Sequence, residues 1–267
     1  MHLHGMSKSP LLTETIHVIM CVWGRPQSLS RNVVSLLTEQ TYADRIKLHV
    51  WNNNADSVEM QKAIESTIEI LERDHGHVEH VGALEVYDSA SNLYGSGRFL
   101  LARKLLETDP LDYVIMVDDD VLLPNNYIER LWEEREPRRY VAWYGRNFIK
   151  GKDYWHSETA QEDRHRTTMK DSVSTFHYGG TGGSLIDAAF FRTYALFEMN
   201  ESIQKMEDIW LSYLIHQSEG WSIKRSRVLP RFNEDDQNSM DAGLYAVLMD
   251  EKCYFLEWLR EVGKWRV

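Results

Sequence analysis

Tyr113-Val-Ile-Met-Val-Asp-Asp-Asp120 decides how this chain is read. A compact apolar run, the strongest strand signal in the sequence, passes directly into three carboxylates. Like charges a few ångströms apart repel unless a cation or a positive ligand group compensates them. If the strand direction continues, side chains alternate, so Asp118 and Asp120 share one side. Two oxygen ligands there suit a hard divalent ion, Mg²⁺ or Mn²⁺, whose shell substrate phosphates and water complete. A solvated acidic turn is the alternative, and the buried strand before the triplet weighs against it.

Upstream, the apolar run Ile16 to Trp23 breaks at Gly24-Arg25-Pro26, and Pro26 suits the first turn of a helix through Glu39. Leu29, Val33, Leu36 and Leu37 share one face of that helix. A second strand, Ile46 to Trp51, ends in Asn52-Asn53-Asn54. Next come an amphipathic helix over Ser57 to Arg73 and a short strand at Val78 to Val81. The turn Tyr94-Gly-Ser-Gly97 leads to a helix from Arg98 to Glu107. Strands alternating with helices predict an α/β fold with a mixed, mainly parallel sheet covered on both faces. Ligands of such sheets bind outside the carboxyl ends of the strands. Gly24-Arg25, Asn52-Asn53 and Asp118 to Asp120 are therefore expected to converge.

The second half is less regular. Gly151 to Phe176 carries both charge signs and no apolar period, and reads as a mobile loop or lid. Gly179 to Gly183 precedes the apolar Ser184-Leu-Ile186, and Asp187 is placed to cap a short helix from Ala188 to Tyr194. Further helices are read from Met206-Glu207-Asp208 onward and over Asp241 to Val262, with a strand at Trp221 to Arg225. No repeat or linker divides the chain. Residues 1–13 read as a disordered or added tail, with Met6 as an alternative start, and 14–267 as one domain. Its two halves, about 14–123 and about 124–267, divide just after the carboxylate triplet.

Composition narrows the class. The 267 residues include 30 Lys and Arg against 41 Asp and Glu, a net charge of −11, which argues against a duplex nucleic-acid partner. With 43% hydrophobic and 27% charged residues, the chain is of ordinary globular composition rather than disordered. Nine Trp and thirteen Tyr suit sugar or ring stacking, or simply fill the core. Cys21 and Cys253 support neither a disulfide framework nor a cysteine zinc site. No stretch approaches the roughly 20 apolar residues of a membrane span, and the start lacks a signal-peptide core. A cytoplasmic setting is expected.

Other residues have chemical uses. Glu207-Asp208 opens a helix, where the macrodipole favours a carboxylate; an ionised Asp there serves as a general base or merely as a cap. Gly179 to Gly183 permits close backbone approach to a ligand, yet lacks a phosphate-loop lysine. Arg25, Arg98 and Arg103 follow strand ends or open helices and are candidates for a diphosphate. His75, His77 and His80 read as a polar turn, and His177 is the histidine kept as a candidate.

Taken together, these pieces resemble the nucleotide-sugar-dependent glycosyltransferases of the GT-A fold. Val18 to Arg25, Leu48 to Asn53, Tyr113 to Asp120, Gly179 to Ile186 and Glu207-Asp208-Ile209 match in order and approximate spacing across roughly residues 14 to 225. Trp51-Asn52-Asn53 and Val117 to Asp120 look most like exostosin-type enzymes, while the first strand and turn look equally like the family-two inverting enzymes. The resemblance implies that Asp118 to Asp120 is the Asp-x-Asp motif, with Asp120 on the metal (Mn²⁺ or Mg²⁺) and Asp118 on the metal shell or ribose. Asn52 and Asn53 would lie against the nucleoside, and Arg25, Arg98 and Asp119 would border the nucleotide. Asp208, with Glu207, would serve catalysis, and Gly182, Gly183 and Trp210 the acceptor, so that about 14–123 would be the nucleotide-binding half and about 124–267 the acceptor-binding half. The family-two pattern usually has Asp where Asn52 stands. Many relatives also carry a late metal-binding His; no clear one follows His216 here, and the resemblance would leave Asp235 or Asp236 as its substitute.

The expected function is metal-dependent transfer from a nucleotide diphosphate sugar, a UDP-sugar first, to a glycan or other hydroxyl, inverting with Asp208 as base. A retaining exostosin-like transferase is the near alternative. A haloacid-dehalogenase-type phosphatase would use Asp118 as nucleophile, though that motif normally opens its fold. A sugar-binding module without catalysis would leave the triplet unexplained.

Overall fold

The apolar runs are two-faced, and this dictates the fold. In β1 (Ile16–Val22), the side chains of Ile16, Val18, Met20 and Val22 enter one core and Ile19 enters another. In β4 (Tyr113–Asp118), Ile115 and Val117 join the first core while Val114 and Met116 join the second. A strand apolar on both faces belongs in the middle of a covered sheet. The structure, a computed structural model, describes residues 14–74, 83–159, 167–170, 172–228, 231–232 and 248–267.

Around these strands, β2 (Ile46–Asn52) and β3 (Leu84–Asp88) extend the sheet in parallel, giving the run β3-β2-β1-β4. Beyond β4, β12 (Ser184–Asp187) inserts antiparallel between β4 and β6 (Arg139–Ala142). Then β13 (Ser222–Arg225) pairs parallel with β6, and β10 (Thr175–Phe176) closes the far edge antiparallel to β13. The sheet thus has eight strands, mainly parallel, drawn from both halves of the chain.

Helices α1 (Pro26–Val34) and α2 (Val58–Asp74) cover one face through Leu29, Val33, Ile64 and Leu71. Helix α3 (Gly97–Thr108) covers the other through Phe99, Leu101 and Leu105. Helix α4 (Tyr127–Glu133) joins the first face, and α5 (Glu201–Gln204) leads into α6 (Glu207–Gln217) on the second. Among the described residues, no helix is long and apolar enough to cross a membrane.

Several expectations change. The helix read through Glu39 ends in a π-helical turn over Ser35–Glu39. Asp187 does act as a cap, accepting from the Ala189 N–H, but the element it opens is a 3₁₀ turn, Ala188–Arg192. The last helix, α7, runs Met249–Glu261. Gly151 to Phe176 is no free lid where it is described. There β7 (Gly145–Phe148), β8 (Ser157–Thr159) and β9 (Thr167–Thr168) join β11 (Tyr178–Gly179) in a second sheet, and Tyr154 and Trp155 are buried. A two-stranded pair joins β5 (Val121–Leu122) to β14 (Arg231–Phe232). The tail at 1–13, the strand at Val78 to Val81, His75, His77, His80, Asp235, Asp236 and residues 241–247, where the last helix is expected to begin, lie outside the described residues.

Candidate functional site

Adjacent parallel strands bring their carboxyl ends together, so the β1, β2, β3 and β4 ends form one edge. Three carboxylates in a row must be compensated there, and two arginines supply the charge. Arg25, at the N-terminus of α1, donates to Asp119 at 2.9 Å and lies 3.2 Å from Asp120. Arg98, in the first turn of α3, donates to Asp118 at 2.9 Å and to the Gly95 carbonyl at 3.1 Å. Arg25 and Arg98 were expected on a diphosphate. Here they pair with the acids, as carboxylates emerging from a buried strand require a compensating charge.

The triplet divides as alternation predicts. Asp119 is buried, and its carbonyl accepts from Ser28 and Asn32 on α1. Burial pushes its carboxyl up to about 7, with Arg25 pulling the other way. Its burial and its pairing with Arg25 make it part of the scaffold at the end of β4. Asp118 and Asp120 keep 39% and 32% of their side-chain surface exposed, so they are the pair able to meet a ligand. Among the described residues no third His, Cys, Asp or Glu joins them as a metal cage. Two half-exposed carboxylates do fit Mg²⁺ or Mn²⁺ shared with phosphates, which needs one or two protein oxygens.

The asparagines also turn inward. Asn52 donates to Asp88 at the end of β3 (2.8 Å) and accepts from the Asn54 N–H (2.9 Å). Asn53 receives the Trp51 indole and the Leu93 N–H, and donates to the Tyr94 carbonyl. Both are buried, with their side-chain amides engaged by the protein itself. They clamp a loop in which Tyr94 takes a left-handed φ of 51°. Asp88 is the exposed residue at that edge, and sequence reading missed it. The alternation Leu84-Glu85-Val86-Tyr87 was the available signal for its strand.

Opposite the triplet stand Glu207 and Asp208, at the start of α6. Glu207 is buried beneath Gly95 and receives the Thr181 hydroxyl at 3.5 Å. Burial and the charge of Asp208 raise its pKa, while Arg98 opposes them. Asp208 is half-buried; the Tyr178 phenol donates to its Oδ2, and its Oδ1 accepts from the Ile209 N–H at 2.8 Å.

The glycine loop joins the two sides. Gly182 packs on the Asp118 carboxylate, and its carbonyl accepts from Trp143 at 2.5 Å. Gly183, at φ 83°, hydrogen-bonds Met116 on β4 and receives the Tyr127 hydroxyl at 2.6 Å. These glycines, expected at the acceptor, touch the end of β4. Trp210, also expected there, lies in the core, stacked on Tyr213 and donating to the Ala195 carbonyl at 3.2 Å. His177 accepts from the Phe148 N–H, and burial lowers its pKa to about 4.

No protein-family model matches the chain, and no curated protein is similar to it in sequence. Solved structures are similar. S. aureus TarS shares 11% identity at a TM-score of 0.53, over 85% of this chain and 38% of that one. GalNAc-T7, solved with UDP, GalNAc and Mn²⁺, shares 12% identity at a TM-score of 0.56, over 79% of this chain and 42% of that one. The chain therefore spans well under half the length of either. At these identities the likeness is one of architecture, and it shows that the chain has the GT-A fold of the nucleotide-sugar glycosyltransferases.

Proposed function

We propose that the chain is a metal-dependent glycosyltransferase that moves a sugar from a nucleotide diphosphate sugar to an acceptor hydroxyl. One observation carries the reading. On a GT-A sheet, half-exposed Asp118 and Asp120 stand at the end of β4, and Arg98 and the Gly182 loop connect them to the Glu207-Asp208 pair. In this reading Asp118 and Asp120 hold the metal ion. Mn²⁺ or Mg²⁺ bound there supplies positive charge to the departing nucleotide diphosphate. Arg98 holds the Asp118 carboxylate in place. Burial favours the neutral form of Glu207, which leaves Asp208 to take the proton of the acceptor hydroxyl. The hydroxyl oxygen then bonds to the anomeric carbon as the sugar–phosphate bond breaks, with inversion. The presence of UDP, GalNAc and Mn²⁺ in the GalNAc-T7 structure recommends UDP-sugars as the first donors to try.

The test is a panel of nucleotide diphosphates and their sugars with and without Mn²⁺, read by thermal shift and by release of the nucleoside diphosphate. A ligand bound only by the native state adds about 2.7 kcal/mol at a hundred times its Kd, a readable rise in Tm. Asp208→Asn should slow transfer by about 10²–10⁴-fold, the usual worth of a positioned base. Near-full transfer by that variant would remove Asp208 from the role, and product NMR showing retained configuration would remove inversion. Absence of a metal-dependent shift with every nucleotide would overturn the reading as a whole.

A further inference from the structure

We infer that Tyr178 is a positioning residue for the transfer step, holding the Asp208 carboxylate in the orientation from which it takes the acceptor's proton. The inference rests on the base role proposed above. Tyr178 is buried in β11, and its hydroxyl donates to Asp208 Oδ2. The other carboxylate oxygen accepts from the Ile209 N–H, so both oxygens are fixed, from two different elements. Those elements are tied a second time through Ser212, which receives the Gly179 N–H at 3.1 Å and donates to the Asp208 carbonyl at 2.7 Å.

The ring that carries the hydroxyl has little freedom. Tyr144 and Tyr154 meet it edge-on, with centroids at 6.2 and 5.8 Å, and Phe148 lies at 6.3 Å. Behind this wall sits the buried Arg146 guanidinium, 4.1 Å from the Tyr154 ring centroid and donating to the Tyr144 hydroxyl at 2.7 Å. Burial and the Asp208 charge push the Tyr178 phenol well above its ordinary range, so it remains a donor across any working pH. Packing alone would be served by phenylalanine. The hydroxyl is what reaches Asp208.

Four variants test this: Tyr178→Phe, Asp208→Asn, the double variant and Tyr178→3-fluorotyrosine, each read by kcat, by KM for donor and acceptor, and by Tm. Tyr178→Phe should lower kcat about 10-fold or more, with both KM values within about twofold, since a misplaced reacting group costs rate rather than binding. In the Asp208→Asn background the same change should cost nothing further, because residues acting as a unit are not additive. Tyr178→3-fluorotyrosine, which keeps the donor, should stay within about twofold of the native kcat. An equal loss in both backgrounds, a 3-fluorotyrosine variant as slow as the phenylalanine one, or a Tm loss beyond about 8 °C assigns Tyr178 to packing and overturns the inference. A native kcat for Tyr178→Phe beside a disabled Asp208→Asn overturns it alone. Near-normal transfer by Asp208→Asn removes the base reading, and this inference with it.

Discussion

A Cβ on residue 182 would lie 1.9 Å from Asp118 Oδ2, and one on residue 95 would lie 1.7 Å from Glu207 Oε1. Both glycines are therefore places where backbone presses on a carboxylate of the candidate site. Gly182→Ala should drive Asp118 off its Arg98 partner, costing about 1–3 kcal/mol as overpacking does. Thermal melts and metal-dependent nucleotide binding check this: both should fall, and a variant with native binding would refute the close approach. The acids and these glycines were legible as residue types. Their partners were not, because an arginine near a strand end looks the same whether it serves a phosphate or a neighbouring aspartate. The side chains of Asn52 and Asn53 are likewise consumed by Asp88, Trp51 and the loop at Tyr94, contacts up to 41 residues away in sequence. Such pairings leave no local pattern to read.

At the scale of elements, the β1, β2 and β4 runs were legible because a strand buried on both faces is a continuous apolar stretch. The layer around Tyr154 and Trp155 was not, since its aromatics bury themselves between polar residues with no period of 2 or 3.6. Histidines within the sheet were also silent. His17 on β1 and His49 on β2 stack with centroids 5.2 Å apart and hydrogen-bond at 3.0 Å, and His49 Nδ1 lies 3.1 Å from Glu85 on β3. Lys47 also meets Glu85, at 2.8 Å, and the Tyr87 hydroxyl donates to it at 2.5 Å. Burial lowers the pKa of both histidines, that of His49 to about 4.

A histidine depressed in the native state is protonated first in the unfolded chain, so stability falls as pH drops from about 6.5 toward 4. The His49 shift, which the neighbouring His17 deepens, corresponds to roughly 3 kcal/mol across that window. The Glu85 carboxyl, held near 2 by Lys47 and Tyr87 against its desolvation, adds a separate loss below about 4.5. Tm measured from pH 7 to 4 should slope downward in the native chain and less steeply in His49→Phe. Parallel slopes would show that the His49 site does not govern acid stability.

For the whole molecule, the convergence of strand ends was legible in the alternation of elements, and the sheet drawn from both chain halves explains why no linker divides them. The net charge of −11 then acquires a local meaning. Under the proposed function a nucleotide diphosphate would bring negative charge to an edge where Asp118 and Asp120 already stand, and their compensating arginines are engaged. Two like charges 4 Å apart cost about 4 kcal/mol at an effective dielectric near 20. A cation between carboxylates and phosphates turns that repulsion into attraction. UDP should therefore raise Tm with Mn²⁺ and leave it unchanged in a chelator, and Asp120→Asn should weaken the Mn²⁺-dependent rise. The competing arrangement is one in which Arg25 and Arg98 release the acids and take the phosphates themselves. It predicts a UDP-induced rise that persists in the chelator and disappears in Arg98→Gln, so the two charge arrangements separate in a single set of melts.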